Sequence, residues 1–253
     1  MKKKINNASN SILYLAVVLA ILAPIAFAAF RDQDRGNAQD KFDETQFPVV
    51  EEYARKTKTK EEQTKSEIKG KRFRLGVPVV SMPHWGVAAE VQHWPEDFSP
   101  LPVAESTTIL VGEVTEANAN LSDDRMAVYS DFIINAVTVF KDSCNVAKTS
   151  SVLTAARYGG RVKFQDGHTL LVFKSGLGMP RVGRRYLFFL KQTDADSDLL
   201  TAYEITNGKV FPLDSGTPNF DIYKNASETD FIREVQQKIE SLSKPSLTTG
   251  EKG

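Results

Sequence analysis

Two histidine–tryptophan pairs contain side chains that could bind a metal. They are His84-Trp85 and His93-Trp94, which lie nine positions apart. Carboxylates stand close by at Glu90, Glu96 and Asp97. Imidazole and carboxylate groups bind zinc and related ions, so His84 and His93 are candidate metal ligands. Because their spacing matches no standard ligand pattern, the alternative is that both tryptophans clamp this segment onto a sheet.

The remaining reactive side chains form no recognisable catalytic motif. Cys144, the one cysteine, lies in a polar turn without a neighbouring histidine to act as its base, which favours an unreactive thiol. Asp194, Asp196 and Asp198 alternate as calcium ligands do, but the glycine and the bidentate glutamate that complete such a loop are missing. We therefore predict no catalytic residue and no cofactor.

A glycine-rich loop over Ser175–Gly183 has the composition of a contact surface. Its glycines permit positive φ and disfavour a strand. The loop nevertheless carries the apolar Leu177 and Met179 beside Arg181, and apolar anchors with arginine around them are typical of protein interfaces. We predict that these three residues bind a partner. The alternative is that Leu177 and Met179 fold back and plug one end of a barrel.

The N-terminus has the pattern of a segment that enters a membrane. Lys2–Lys4 precede Ile12–Phe30, which carries no charge. This length is close to the ~20 residues that span a bilayer, whereas Ala26-Phe27-Ala28 resembles a signal-peptidase site. An uncleaved transmembrane anchor and a cleaved signal peptide therefore both stay open. Either one places the rest of the chain outside the cytoplasm.

The charge balance argues against nucleic-acid binding. Lys and Arg total 32 and Asp and Glu total 32 among 253 residues, so the formal net charge is zero. A nucleic-acid binder normally carries an excess of basic residues that neutralise phosphates. With one cysteine the chain forms no internal disulfide, so an exported domain must be stabilised by its core.

Short apolar runs separated by turn residues predict a mainly β domain. Val128–Phe140 is the longest run, and its alternation changes parity near Val137, which indicates a β-bulge. Asp166-Gly167 and Asn207-Gly208 each separate two short strands and predict hairpins. A bent long strand favours a small OB-like barrel, and a sandwich is the second choice.

A C-terminal helix is expected after the strands. Phe231, Val235, Ile239 and Leu242 fall on one helical face. Upstream, Glu, Lys and Arg favour a solvated helix around Pro48–Ile68. The predicted organisation is a signal peptide or transmembrane helix over 1–30, a charged linker over 31–76, a proline-rich transition over 77–102, the β-barrel domain with its helix over 103–243 and a disordered tail over 244–253.

Several of these segments resemble a family of uncharacterised exported or membrane-anchored bacterial proteins. The segments are Leu101–Ser106, Val111–Val114, Val128–Phe132, Gly176–Tyr186 and Val210–Leu213. The resemblance covers about Leu101 to Ile239 and implies an exported β-domain without assigning functional residues. The strand pattern is also similar to secreted OB-like domains of the netrin and metalloproteinase-inhibitor type. Those domains usually depend on disulfides, which this chain cannot form within itself.

These features together predict an extracytoplasmic module of the cell envelope that binds another protein or a surface without catalysis. The N-terminal segment, residues 12–30, is its expected contact with the membrane. The alternative is an extracytoplasmic hydrolase whose site is assembled from scattered residues. A deep pocket with converging Asp, Glu or His would favour that alternative.

Overall fold

Strands dominate the part of the chain whose structure is described. The computed structural model describes residues 44–53, 58–81, 86–216 and 218–243. These residues belong to a unit that begins at Glu44. The segment 12–30, His84 and the tail over 244–253 lie outside the described residues, so what the sequence predicts for them stays a prediction.

The described residues form eleven strands and three helices. The strands are β1 (Val49–Glu51), β2 (Gly86–Val91), β3 (Thr108–Leu121), β4 (Val128–Asp142), β5 (Val152–Tyr158), β6 (Gly160–Lys163), β7 (Thr169–Ser175), β8 (Arg185–Gln192), β9 (Ser197–Thr206), β10 (Lys209–Pro212) and β11 (Ala226–Ser227). The helices are α1 (Lys60–Arg72), α2 (Val146–Thr149) and α3 (Glu228–Ser243), with 3₁₀ turns at Glu44–Gln46 and Phe220–Tyr223. None of these helices is long and apolar enough to cross a bilayer. The described chain is thus mainly β with a C-terminal helix, as the sequence predicts.

Five of the strands pair in a closed ring. β3 pairs with β4, β4 with β5, β5 with β9, β9 with β8, and β8 with β3. The β5–β9 pair is parallel, and the other four pairs are antiparallel. β10 and β11 continue the sheet beyond β9, so the sheets do not make one clean barrel.

β4 bends where the apolar pattern changes parity. Val111 pairs with Thr138 and Gly112 pairs with Ala136, which leaves Val137 as an extra residue on β4. An extra residue of this kind is a β-bulge, and it increases the local twist of the strand. The bulge that the sequence predicts near Val137 is therefore confirmed.

A second sheet has the strand order β1-β6-β7-β2. Residues 164–168, which include Asp166-Gly167, join β6 to β7, and Asn207-Gly208 joins β9 to β10 in the larger sheet, so both predicted hairpins are present. Asn207 has a φ of 51° and Gly208 a φ of 69°. Positive φ at both positions is what a two-residue hairpin turn of this type requires.

The charged linker and the proline-rich transition both belong to the fold over their described residues, contrary to the prediction. β1 pairs in parallel with β6, and β2 pairs in parallel with β7. α1 begins at a capping box in which Thr59 and Glu62 exchange hydrogen bonds. The composition of these segments misleads because pairing with distant strands overrides local preference.

Alternate residues of β3 enter two different core clusters. Leu110 packs with Phe132 and Ile134 in the first cluster, while Ile109 and Val111 belong to the second. The second cluster also takes in Phe231 and Val235, so α3 packs on that face of the sheet. The predicted helix face is thus confirmed at both positions. It is wrong at Leu242, which is 58% exposed.

Candidate functional site

A cavity of about 400 Å³ opens where the end of β2 meets two loops. None of the lining residues described is an Asp, Glu, Lys or Arg. The lining residues are Val91, Gln92, His93, Trp94, Ser175, Gly176, Ser215 and Gly216. The cavity thus joins the second histidine–tryptophan pair to the start of the glycine-rich loop, two segments that the sequence singles out separately.

Backbone hydrogen bonds hold the two loops and β2 together at this cavity. The Gln92 N–H donates to the Ser175 carbonyl at 3.0 Å, and the Ser215 N–H donates to the Gly176 carbonyl at 3.0 Å. Gly176 has a φ of 95°, and a Cβ there would lie 3.1 Å from the Ser215 oxygen. A side chain at that position would therefore strain the backbone and crowd the neighbouring loop.

A buried ion pair between Arg157 and Asp214 contacts the backbone of the glycine-rich loop. Asp214 Oδ1 accepts a hydrogen bond from Arg157 Nη2 at 2.6 Å and another from the Gly178 N–H at 2.9 Å. Both side chains of the pair are almost fully buried. Arg157 Nε, Arg157 Nη1 and Asp214 Oδ2 have no hydrogen-bond partner among the described residues. A buried pair of this kind costs desolvation, and removal of one member leaves the other charge uncompensated.

Trp94 is a packing residue. Its ring lies 4.8 Å from that of Phe98 and 5.2 Å from that of Phe220, centroid to centroid. It therefore anchors the end of β2 to the second core cluster, which is the clamping role that the sequence analysis allows for it. The indole Nε1 is buried and has no hydrogen-bond partner among the described residues.

Of the two candidate metal ligands, His84 lies outside the described residues. His93 is exposed at the rim of the cavity. Within residues 44–53, 58–81, 86–216 and 218–243 there is no group of three or more His, Cys, Asp or Glu side chains placed to hold a metal ion. A metal at His84 and His93 stays a prediction that the described geometry does not strengthen.

The three predicted partner-binding residues have different surroundings. Met179 is 1% exposed and packs in the first core cluster, so its side chain lies in the core and not on the surface. Leu177 is half-buried and Arg181 is exposed. The backbone N–H of Arg181 donates to Tyr186 Oη at 3.0 Å, and burial raises the pKa of Tyr186 to about 12. A contact surface in this loop can therefore include Leu177 and Arg181, with Met179 as its support.

Two aspartates of the acidic loop at Asp194–Asp198 form ion pairs with α1. Lys69 Nζ lies 2.6 Å from Asp196 Oδ2 and 2.7 Å from Asp131 Oδ1. Burial acts to lower the pKa of Lys69, but the two carboxylates outweigh it and raise the pKa above its ordinary value. Arg72 pairs with Asp198 at 2.9 Å. These aspartates are thus engaged by cations, which disfavours the calcium interpretation.

Neither the cavity nor the docking of α1 is predicted from the sequence. The cavity lies between β2 and loops that are far apart in the chain, and no spacing rule connects them. For α1 a signal exists in the spacing of Ser66 and Lys69, which lie three residues apart on one face and are both buried. This spacing does not by itself predict a buried face, because lysine side chains are normally exposed.

Comparison with models of known protein families found no match, and comparison with curated proteins found none either.

Proposed function

We propose that this chain is an extracytoplasmic, non-enzymatic binding module of the cell envelope, and that it binds a partner protein at the cavity beside β2. The observation that carries the proposal is the make-up of the cavity wall. Its polar groups are hydroxyls, an amide and backbone groups, and His93 is the one titratable side chain among the lining residues described. Such a wall suits recognition, whereas acid–base catalysis needs a second positioned group.

The extracytoplasmic part of the proposal rests on the N-terminal sequence. The lysines at positions 2–4 followed by the uncharged segment Ile12–Phe30 favour export with the basic end retained in the cytoplasm. The segment then acts as a membrane anchor or is removed as a signal peptide.

The OB-like part of the proposal rests on strand order. In the ring, β3 pairs with both β4 and β8, and β5 pairs in parallel with β9. A five-stranded Greek-key ring of this kind supports an OB-like barrel as the scaffold, extended by β10, β11 and the second sheet.

Site-specific photocrosslinking tests the binding site. A photoreactive amino acid replaces His93, which is exposed at the cavity rim, and in a control chain it replaces Val137, which is 63% exposed on β4. We expect a discrete adduct with an envelope protein from position 93 and none from position 137. Equal adducts from both positions, or no adduct from position 93, would contradict a binding site at this cavity.

A reporter fusion tests the compartment. An enzyme that is active only outside the cytoplasm is fused after Gly253, and a cytoplasm-specific enzyme is fused at the same point in a parallel chain. We expect activity from the first fusion and not from the second. Replacing Lys2–Lys4 with glutamates should reduce export, because the basic residues orient the segment. Activity of the cytoplasmic reporter alone would refute an extracytoplasmic location.

A further inference from the structure

β2 ends the smaller sheet with one of its two edges open. All six of its residues, Gly86 to Val91, pair in parallel with β7 on one side. On the other side no strand pairs with β2 among the described residues. An edge of this kind presents a row of backbone N–H and C=O groups that can pair with another extended chain.

The side chains of β2 do little to block such pairing. Val87 and Val91 are 45% and 64% exposed, and Ala89 between them is exposed as well. Natural edge strands are commonly protected by lysine, proline or a bulge. The single charge in β2 is that of Glu90, which lies 3.6 Å from Lys174 of β7, on the side away from the open edge.

The open edge leads directly into the cavity. Val91 is the last residue of β2 and also lines the cavity, followed by Gln92, His93 and Trp94. An extended chain that pairs with β2 would therefore reach the cavity at one end of the strand. The edge and the cavity make one continuous surface, with backbone recognition along β2 and room for a side chain beyond it.

We propose that an extended segment of a partner protein binds by adding a strand beside β2 and placing an uncharged side chain in the cavity. This inference rests on the proposed function and names its mode of binding. In strand addition the main-chain hydrogen bonds give affinity, and pockets for individual side chains give specificity. The exposed valines, and a described cavity wall that carries no Asp, Glu, Lys or Arg, suit an uncharged segment with apolar residues at alternate positions along β2.

A second copy of this chain fits the surface less well. If two copies paired through β2 alone, each copy would contribute one six-residue strand to the contact. Such a contact is smaller than the ~1,000 Å² that a stable interface buries, and it would leave the cavity unused. A separate segment that covers both the edge and the cavity uses more of the surface.

The test uses the full-length chain and short random peptides displayed on phage, from which an enriched peptide is synthesised as the probe. Val87→Lys places a charge on the open edge outside the cavity, and Val91→Lys places one where the edge and the cavity meet. Val137→Lys is the matched control, since Val137 is 63% exposed and lies on β4. We expect Val87→Lys and Val91→Lys each to weaken probe binding by about tenfold or more, and Val137→Lys to leave it unchanged.

N-methylation of the probe gives a second, independent measurement. Methyl groups on the amides of one edge of the peptide should abolish binding, and methyl groups on the other edge should leave it intact, because one edge alone pairs with β2. If Val91→Lys weakens probe binding and Val87→Lys does not, strand addition is overturned, whereas the cavity remains the binding site of the proposed function. If the chain self-associates and Val87→Lys abolishes that self-association, the edge binds a second copy of the chain and the proposal is overturned. Failure to enrich any peptide would also overturn it.

Discussion

Burial decides the roles of the side chains in the glycine-rich loop. Met179 lies in the core and its Cε is 3.0 Å from the position that a Cβ on Gly159 would occupy, so the two residues fit closely. Val182, three residues later, is 55% exposed. Both are apolar residues in the same loop, yet the first stabilises the fold and the second is free to face solvent.

Truncation of Met179 should therefore destabilise the chain. Met179→Ala removes buried methylene groups and leaves a cavity, which we expect to lower the free energy of unfolding by about 2–5 kcal/mol. Val182→Ala is the control and should change it by less than about 0.5 kcal/mol, as exposed substitutions do. Urea unfolding followed by tryptophan fluorescence measures both. Similar small losses in the two variants would show that Met179 does not support the loop.

Ion pairs attach the helix α1 to the rest of the domain. Its buried residues are Ser66, Lys69 and Gly70, none of which has a large apolar side chain. Gly70 allows close approach, since a Cβ there would lie 3.1 Å from Ser122 Cβ. Lys69 between Asp131 and Asp196 is thus a buried polar contact of the helix, and Arg72 beside Asp198 is a second ion pair.

Removal of the Lys69 charge should release α1. Lys69→Ala leaves Asp131 and Asp196 partly buried without their cation, and we expect a loss of about 3–5 kcal/mol in unfolding free energy. Lys65→Ala is the control, because Lys65 forms an exposed pair with Glu61 that is worth about 0.3–0.5 kcal/mol. Limited proteolysis should cut within residues 58–74 faster in the first variant alone. Equal protection of α1 in both variants would show that other contacts hold the helix.

Two short strands from the first 91 residues of the chain complete the domain. β1 and β2 form the two ends of the second sheet, and β6 and β7 lie between them. Leu170 and Val172 of β7 are buried in a third core cluster, which Val50 of β1 and Ala88 of β2 partly cover. The folded unit therefore requires residues well before the region with the clearest strand pattern.

A chain that begins at Pro95 should be much less stable than one that begins at Glu44. The shorter chain lacks β1, α1 and β2, so Leu170, Val172 and the aspartates that bind Lys69 become exposed or unpaired. We expect the chain from Glu44 to unfold in one cooperative transition, and the chain from Pro95 to have a lower midpoint or to aggregate. Circular dichroism with urea measures this. Equal midpoints would show that the segment before Pro95 contributes no stability.

Local chemistry made part of this architecture predictable. The hairpin at Asn207-Gly208 follows from the positive φ at both turn positions, whereas in the turn at Asp166-Gly167 Gly167 alone has a positive φ. The bulge at Val137 follows from a change in side-chain parity. The α3 face with Phe231 and Val235 follows from helical spacing. Each of these features depends on residues that are neighbours in the chain, so the sequence by itself determined them.

The long-range strand pairings, the burial of Lys69 and the cavity were decided by the tertiary structure alone. The parallel β5–β9 pair closes the ring, β1 and β2 join a second sheet, and Lys69 is buried between Asp131 and Asp196. The cavity likewise depends on Trp94, Gly176 and Ser215, which are far apart in sequence. Strand pairing and burial of a charge are favourable only when distant partners meet in the folded chain, and no local pattern records which partners those are.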